Sequence, residues 1–242
     1  MDSSIPPVSS RAVQGDISVP VITFDAGQTL VELDLDFLRR RLAERGTDVS
    51  VEALAASAPA AWARYDELVA AKGHPWHELM QALLTGAGIA APAPLVAWLW
   101  SEQPRANLWR RPIPEMVTLA RELAARGYAV GVLSNSEGRI AELLAEVGIA
   151  DPFRAVVDSG RLGIEKPDPR IFAHARAALG GGEAIHIGDS WPADVAGARG
   201  AGWRAIWYGR TARGDVDDPG VAVAPDAAGV RAGLARFGIS FG

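Results

Sequence analysis

The sequence predicts an α/β protein, a doubly wound parallel β-sheet with an all-helical segment inserted after its first strand. Three observations carry that prediction. Five short apolar runs, Val19–Phe24, Tyr128–Leu133, Phe153–Val157, Ala184–Ile187 and Ala205–Tyr208, each end in a polar residue or glycine. Helical patterns over 114–126, 137–147, 169–179 and 193–200 separate the later runs. Near-continuous apolar strands alternating with amphipathic helices mark a parallel sheet covered on both faces. The spacing then breaks once: roughly a hundred residues separate the first run from the second, far beyond an ordinary crossover.

Taken in order, residues 1–19 read as an arm. Met1–Gln14 holds Pro6, Pro7 and four serines but no apolar stretch of the kind a secretory signal needs. The first strand follows. The interval 33–111 reads as helical throughout. Leu35, Phe37, Leu38 and Leu42 recur at helical spacing after Asp34, a residue suited to an N-cap. An alanine-rich stretch, 53–71, is expected to break near Pro59, and further helices are expected over 76–84 and 94–101. Tryptophans 62, 76, 98, 100 and 109 fall in this interval, as the core of a helix bundle or the lining of a substrate cleft. After 112 the strand–helix alternation resumes, with a weaker sixth strand at 221–224. The expected division is an arm (1–19), a sheet domain (20–32 and 112–242) and a helical insertion (33–111).

Composition narrows the chemistry. Among 242 residues there is no cysteine, which excludes disulfides, thiolate nucleophiles, iron–sulfur clusters and zinc–thiolate sites. A net charge of −5 speaks against nucleic acid or an anionic membrane as partner. No apolar run approaches the ~18–20 residues that span a bilayer, and with no signal and no cysteine the expected location is the cytoplasm. Lys72 and Lys166 are the only lysines beside 22 arginines, so each lysine is worth locating.

Ligands of doubly wound sheets bind beyond the carboxyl ends of the strands, and four polar motifs stand there. The first run ends in Asp25-Ala26-Gly27-Gln28-Thr29, and the second in Ser134-Asn135-Ser136, at the expected start of a helix where backbone N–H groups favour anions. Gly163-Ile164-Glu165-Lys166-Pro167 places a lysine on a proline-stiffened loop where arginine would be the compositional default. The fourth run ends in Gly188-Asp189-Ser190, with Asp194 five residues after Asp189; two carboxylates so spaced can approach one hard cation. Singly, each also reads as a turn or cap residue. Together and in this order, they make the sequence resemble the haloacid-dehalogenase-like hydrolase superfamily, in its phosphatase branch, over Val19–Tyr208.

The resemblance implies a Rossmann-like core with the insertion as a helical cap of the first type closing over the site. It implies Asp25 as the nucleophile that forms an aspartyl-phosphate, Ser134 and Asn135 as phosphate-binding residues, and Lys166 as the group holding the nucleophile and phosphoryl oxygens. It implies Mg²⁺ held by Asp25, the Gly27 carbonyl, Asp189 and Asp194, and a small phosphorylated metabolite as substrate. Oligomeric state stays open between monomer and homodimer.

One position departs from the pattern. Phosphatases resembling this chain carry a second aspartate two residues after the nucleophile, which protonates the leaving group; here that residue is Gly27, followed by Gln28. Losing a positioned general acid costs ~10²–10⁴-fold. Three readings remain: a leaving group acidic enough to depart unprotonated, a group lent by the cap, or a weakened phospho-ligand-binding relative. His74 and His77 are the first cap candidates, Glu32 and Asp34 weaker ones, and Gln28 is a candidate substrate contact. A dehalogenase would use Asp25 without metal, and a C–P hydrolase would need a cap lysine, for which Lys72 is the candidate. His174 and His186 read as structural, and Arg39–Arg41 as a solvated helix face.

Overall fold

The computed structural model describes residues 19–72, 75–212 and 214–241, the side chains of 69–72 excepted. Residues 1–18 of the expected arm and His74 therefore lie outside the described residues. Strand β1 (Val21–Phe24) begins two residues later than its apolar run, because Pro20 has no N–H to give a ladder. A short strand β2 (Val31–Leu33) follows, then helices α1 (Leu35–Ala43), α2 (Val51–Lys72), α3 (Trp76–Gly86) and α4 (Ala93–Glu102). Strand β3 (Trp109–Pro112) leads into α5 (Pro114–Ala125), β4 (Ala129–Ser134), α6 (Ile140–Glu146), β5 (Ala155–Asp158) and the short α7 (Ser159–Leu162). Helix α8 (Pro169–Ala178), β6 (Ala184–Gly188), a widened helical turn at Trp191–Ala196 running into α9 (Gly197–Gly200), β7 (Arg204–Tyr208), β8 (Val221–Ala224) and α10 (Ala227–Arg236) complete the chain.

The large sheet has the order β5-β4-β1-β6-β7-β8, and every pairing in it is parallel. The chain moves from β1 outward through β4 to β5, then returns to lay β6 on the other side of β1. The order thus reverses at β1, and a crevice opens at the carboxyl end of that strand. Alternate residues of β1 feed opposite faces. Ile22 and Phe24 join one buried cluster with residues of α5, α6 and α10, and Val21 joins the other with Phe172 and Trp203.

The insertion is not helical to its ends. Strands β2 and β3 pair antiparallel, with Glu32 opposite Arg111 and Leu33 opposite Trp109, so the two passages between sheet and helices form one ribbon. Between them α1–α4 build their own apolar cluster, which includes Leu38, Leu54, Trp76, Met80 and Leu83. Asp34 does cap α1, accepting from Phe37 N at 2.8 Å. The expected break at Pro59 is absent: α2 runs unbroken through it. Pro59 and Ala55, whose carbonyl loses its helical partner, are both exposed, so water can replace the missing bond. Helices α2 and α3 approach closely because Gly86 has no Cβ; one would stand 2.7 Å from Ser57 Cβ. Among the described residues no helix is long and apolar enough to cross a membrane.

Candidate active site

Asp25 follows β1 directly and donates its backbone N–H to Ile187 O of the neighbouring strand, at the sheet edge where the crevice opens. Lys166 meets it there. The Nζ atom is buried and donates to Asp25 Oδ1 at 2.7 Å, Asp194 Oδ1 at 2.6 Å and Leu133 O at 2.9 Å, using all three of its protons. Burial alone would push the ammonium down, but Asp194 and Asp25 outweigh it and keep Lys166 firmly charged.

Asp194 sits on the widened turn, where Val195 N reaches back to Ser190 O. Its Oδ2 accepts from Ser190 N at 2.8 Å, and its carboxyl lies flat on β6. Only glycine permits that: a Cβ on Gly188 would stand 2.3 Å from Asp194 Cγ. Burial opposes its charge, but Lys166 and His186 hold the Asp194 carboxyl well below the usual carboxylate range.

His186, which the sequence presents only as a strand residue, belongs to this network. Its register partner on β1 is Thr23. Thr23 Oγ1 and His186 Nδ1 lie 2.8 Å apart, and His186 Nε2 lies 3.0 Å from Asp194 Oδ1. Because the carboxylate can only accept, Nε2 carries the proton and Nδ1 accepts from the threonine. Burial lowers the imidazole's pKa, in keeping with this neutral form.

Asp25, Asp189 and Asp194 offer carboxylate oxygens within 4.8 Å of one another. Burial raises both Asp25 and Asp189; Lys166 works against the rise in Asp25, and Asp194 adds to it in both. Asp189 is raised well above its ordinary value. Its main chain is fixed by Trp207 Nε1, which donates to Asp189 O at 3.1 Å. Three carboxylates against one ammonium leave an excess of negative charge on hard oxygen donors, a set suited to a divalent cation such as Mg²⁺.

The second motif differs from its expectation. Helix α6 starts at Ile140, not 137, so Ser134 and Asn135 lie before a loop and not at a helix end. Three N–H groups of this loop are engaged within the protein. Ser136 N donates to Ser159 Oγ at 3.0 Å, and Gly138 N and Ile140 N donate to the Asp158 carboxylate at 3.1 and 3.0 Å. This loop rides on Gly160, where a Cβ would meet backbone atoms of 136–138 at 2.5–2.6 Å. Asn135 has its amide engaged within the protein. Its amide clamps the main chain of Lys166, donating to Lys166 O at 3.0 Å and accepting from Lys166 N at 2.8 Å, so it positions the lysine loop. Ser134 is buried at the end of β4, one residue after the carbonyl that binds Lys166 Nζ.

Gly27 lies beside Asp25, and a Cβ there would stand 3.9 Å from Asp25 Oδ2 and 3.7 Å from Trp109 Cδ1, ordinary contacts. Gln28 takes a left-handed conformation (φ 57°), and its N donates to Val31 O at 2.7 Å, closing the turn; its buried Nε2 has no partner among the described residues. The described cap candidates are engaged elsewhere. His77 is exposed and packs its ring 4.9 Å from Trp100; Asp34 caps α1; Glu32 pairs with Arg111 at 2.8 Å. Lys72 ends α2, and its side chain is outside the described residues.

The sequence profile of the haloacid dehalogenase-like hydrolase family matches residues 19–202. The chain belongs to this family. Phosphoserine phosphatase of Thermus thermophilus is 38% identical to it over 164 residues, 64% of each chain. Glyceraldehyde 3-phosphate phosphatase of Methanopyrus kandleri is 34% identical over 111 residues, 45% of this chain and 46% of that one. The chain thus spans less than two thirds of the length of these relatives. Among solved structures, YfnB of Bacillus subtilis aligns with a TM-score of 0.64 at 17% identity, over 90% of this chain and 99% of its own. A 2-haloacid dehalogenase of Pseudomonas syringae pv. Tomato aligns with a TM-score of 0.55 at 26% identity, over the same shares. The family's Rossmann-like α/β fold is therefore the fold of this hydrolase-family chain.

Proposed function

We propose that this haloacid dehalogenase-like hydrolase is a Mg²⁺-dependent phosphatase of a small phosphorylated metabolite, with Asp25 as nucleophile. The observation that carries the reading is the buried cluster of Asp25, Asp189 and Asp194 around Lys166. Phosphoryl transfer needs in-line positioning and neutralisation of oxygen charge more than it needs covalent chemistry from many groups. Bound to the three carboxylates, with the Gly27 carbonyl as a fourth oxygen, Mg²⁺ would supply charge neutralisation to the phosphoryl oxygens. Lys166 favours the ionised form of Asp25 and holds its carboxylate, Ser134 offers a hydroxyl to the phosphoryl group, and Asn135 holds the lysine loop in place. The phosphatase names of the relatives support the same reaction class. A metal-free dehalogenation is the weaker reading, because it leaves Asp189, the third carboxylate of the cluster, without a role.

Gly27 stands where phosphatases of the family place their second aspartate, so proton delivery to the leaving group is the weak point of this site. The backbone accepts a side chain there: Gly27 is not in a left-handed conformation and its Cβ position is open. The test is phosphate release from a panel of phosphorylated metabolites with and without Mg²⁺. Asp25→Asn should abolish turnover, and Gly27→Asp should raise it toward poor leaving groups. Turnover that survives Asp25→Asn would sink the mechanism.

A further inference from the structure

One arginine of the sheet domain reaches out from the metal motif to the helical insertion. After β7, Gly209 N donates to Ala224 O at 3.0 Å, which seats the segment on β8, and Ala212 N returns to Gly209 O at 3.0 Å. Arg210 and Thr211 therefore form the tip of a tight turn. Both neighbours of Arg210 lie against Asp189: a Cβ on Gly209 would stand 3.9 Å from Asp189 Cβ, and Thr211 Oγ1 is 3.5 Å from Asp189 O. From this tip the Arg210 guanidinium crosses to α2, donates to Asp66 Oδ1 at 2.5 Å and stands 4.1 Å from the ring centre of Trp62. A planar guanidinium does both at once, bonding along its edge while its face lies on the ring. Trp62 carries the contact on, packing edge-to-face on Trp109 at 6.4 Å, and Trp109 Cδ1 is 3.7 Å from the Cβ position of Gly27. The contact thus runs from the Asp189 loop to the Gly27 turn. Other ties between the domains lie at the root of the insertion: Arg139 Nη1 donates to Pro104 O at 3.1 Å, and Arg110 of β3 pairs with Glu146 at 3.2 Å. Arg210 instead grips a helix, not the ribbon on which the insertion pivots.

We infer that Arg210 is a positioning residue: from a turn seated against Asp189 it clasps Asp66 and Trp62, sets where the cap stands over the phosphoryl site, and releases it to admit substrate. The inference rests on the crevice of Asp25 and Asp189 being the reaction site. Arg210 touches neither phosphate nor metal in this role and acts only through α2. Both side chains of the ion pair are partly exposed, so the clasp breaks and re-forms at low cost. Substrate enters with the clasp released and is held with it made. Losing the clasp lowers the fraction of protein poised to hold substrate, which raises KM and leaves kcat nearly unchanged.

The chain contains no cysteine, so a pair of spin labels can report the cap's position on the full chain. Ala56→Cys on α2 and Ala173→Cys on α8, both exposed, carry the labels, and pulsed dipolar spectroscopy reads the distances between them. One distance, that of the clasped cap, should dominate when nothing else is changed. Arg210→Met should populate a second distance and lower the ratio of clasped to released protein about three- to thirtyfold, as loss of a partly exposed ion pair and a ring contact does. Asp66→Asn should lower it about two- to fivefold, and Arg210→Lys, which keeps the charge without the flat face, less than Arg210→Met. The double variant should be no worse than Arg210→Met alone, because Asp66 acts through Arg210. With 4-nitrophenyl phosphate and Mg²⁺, KM should rise in the same ranking while kcat changes less than about twofold. An unchanged distance distribution in Arg210→Met overturns the inference, as do losses that multiply in the double variant. So does Asp66→Asn that lowers KM, which would make Arg210 a substrate ligand held back by Asp66. The nucleophile reading is judged separately: Asp25→Asn that still turns over removes that reading, while the label distances need no turnover and still judge the clasp.

Discussion

On the sheet side of the cleft, Lys166 makes three hydrogen bonds and Asn135 two, and Asp194 accepts from Lys166, His186 and Ser190 N. On the helical side, Trp62, Tyr65 and Trp109 meet edge to face, and Arg210 ties them to the core through Asp66 and the ring faces. The first arrangement has distances set by directional bonds among buried charges. The second is set by ring packing and one ion pair whose side chains are 31% and 30% exposed. The difference teaches where each demand of the reaction falls. Phosphoryl chemistry needs oxygens fixed to a few tenths of an ångström, which buried charged bonds provide. Admitting a substrate needs a wall that can part from the sheet at low cost.

The largest expected effect breaks the sheet side. Lys166→Met leaves Asp25 and Asp194 as adjacent buried carboxylates without their cation, and should cost about 3–5 kcal/mol of stability in metal-free protein. Urea unfolding in EDTA measures it; a loss below about 1 kcal/mol would mean that the two regions are not built so differently. Next in size, His186→Phe removes the bond that fixes Asp194 from behind and should weaken Mg²⁺ binding about 10–100-fold, read by titration calorimetry. Unchanged affinity would show that Lys166 and Ser190 alone hold that carboxylate.

Varying pH sharpens the same contrast. Asp189 and Asp25 have raised folded values, so their contribution is present below the ordinary 3.8 and is lost as pH rises through those raised values. Asp194, whose value is lowered, contributes fully at neutral pH and fails only as pH falls below 3.8. Metal-free protein should therefore lose stability from about pH 4 upward through the raised values, and Mg²⁺ should raise Tm more at pH 7 than at pH 4. An equal Tm shift at both would remove the cluster as the binding site. The smallest effect belongs to the helical side: a double-mutant cycle on Asp66→Asn and Arg210→Met should give a coupling of only about 0.2–1 kcal/mol, as for a partly exposed pair.

Much of this site could be read in the chain because each motif interrupts an apolar run. A buried strand is legible as a run of Val, Ile and Ala, and the polar residue that ends it must stand at the sheet's edge; Asp25, Ser134 and Asp189 were found that way, and Asp194 by its spacing from Asp189. Lys166 was found by scarcity in an arginine-rich composition. The same logic failed inside a strand. His186 and Thr23 are 163 residues apart, and nothing local distinguishes a histidine bonded across two strands from one that merely packs. It also failed in the ribbon of β2 and β3, whose strands are too short to show a period, and in the loop at 135–139. That loop reads as a helix start until Asp158 and Ser159 take its N–H groups.

By itself, then, the sequence determined the alternating fold, the helical insertion, the sheet-edge carboxylates and lysine, and the absence of a side chain at Gly27. These follow from local patterns of apolar and polar residues, which a strand or helix needs in order to form at all. Only the tertiary structure decided that Asn135 serves Lys166, that His186 serves Asp194, and that Arg210, 144 residues from Asp66, pairs with it and lies over the Trp62 ring. Such pairings depend on which strands lie next to β1 and on how the insertion folds back over them, and those distances in space leave no mark on spacing along the chain.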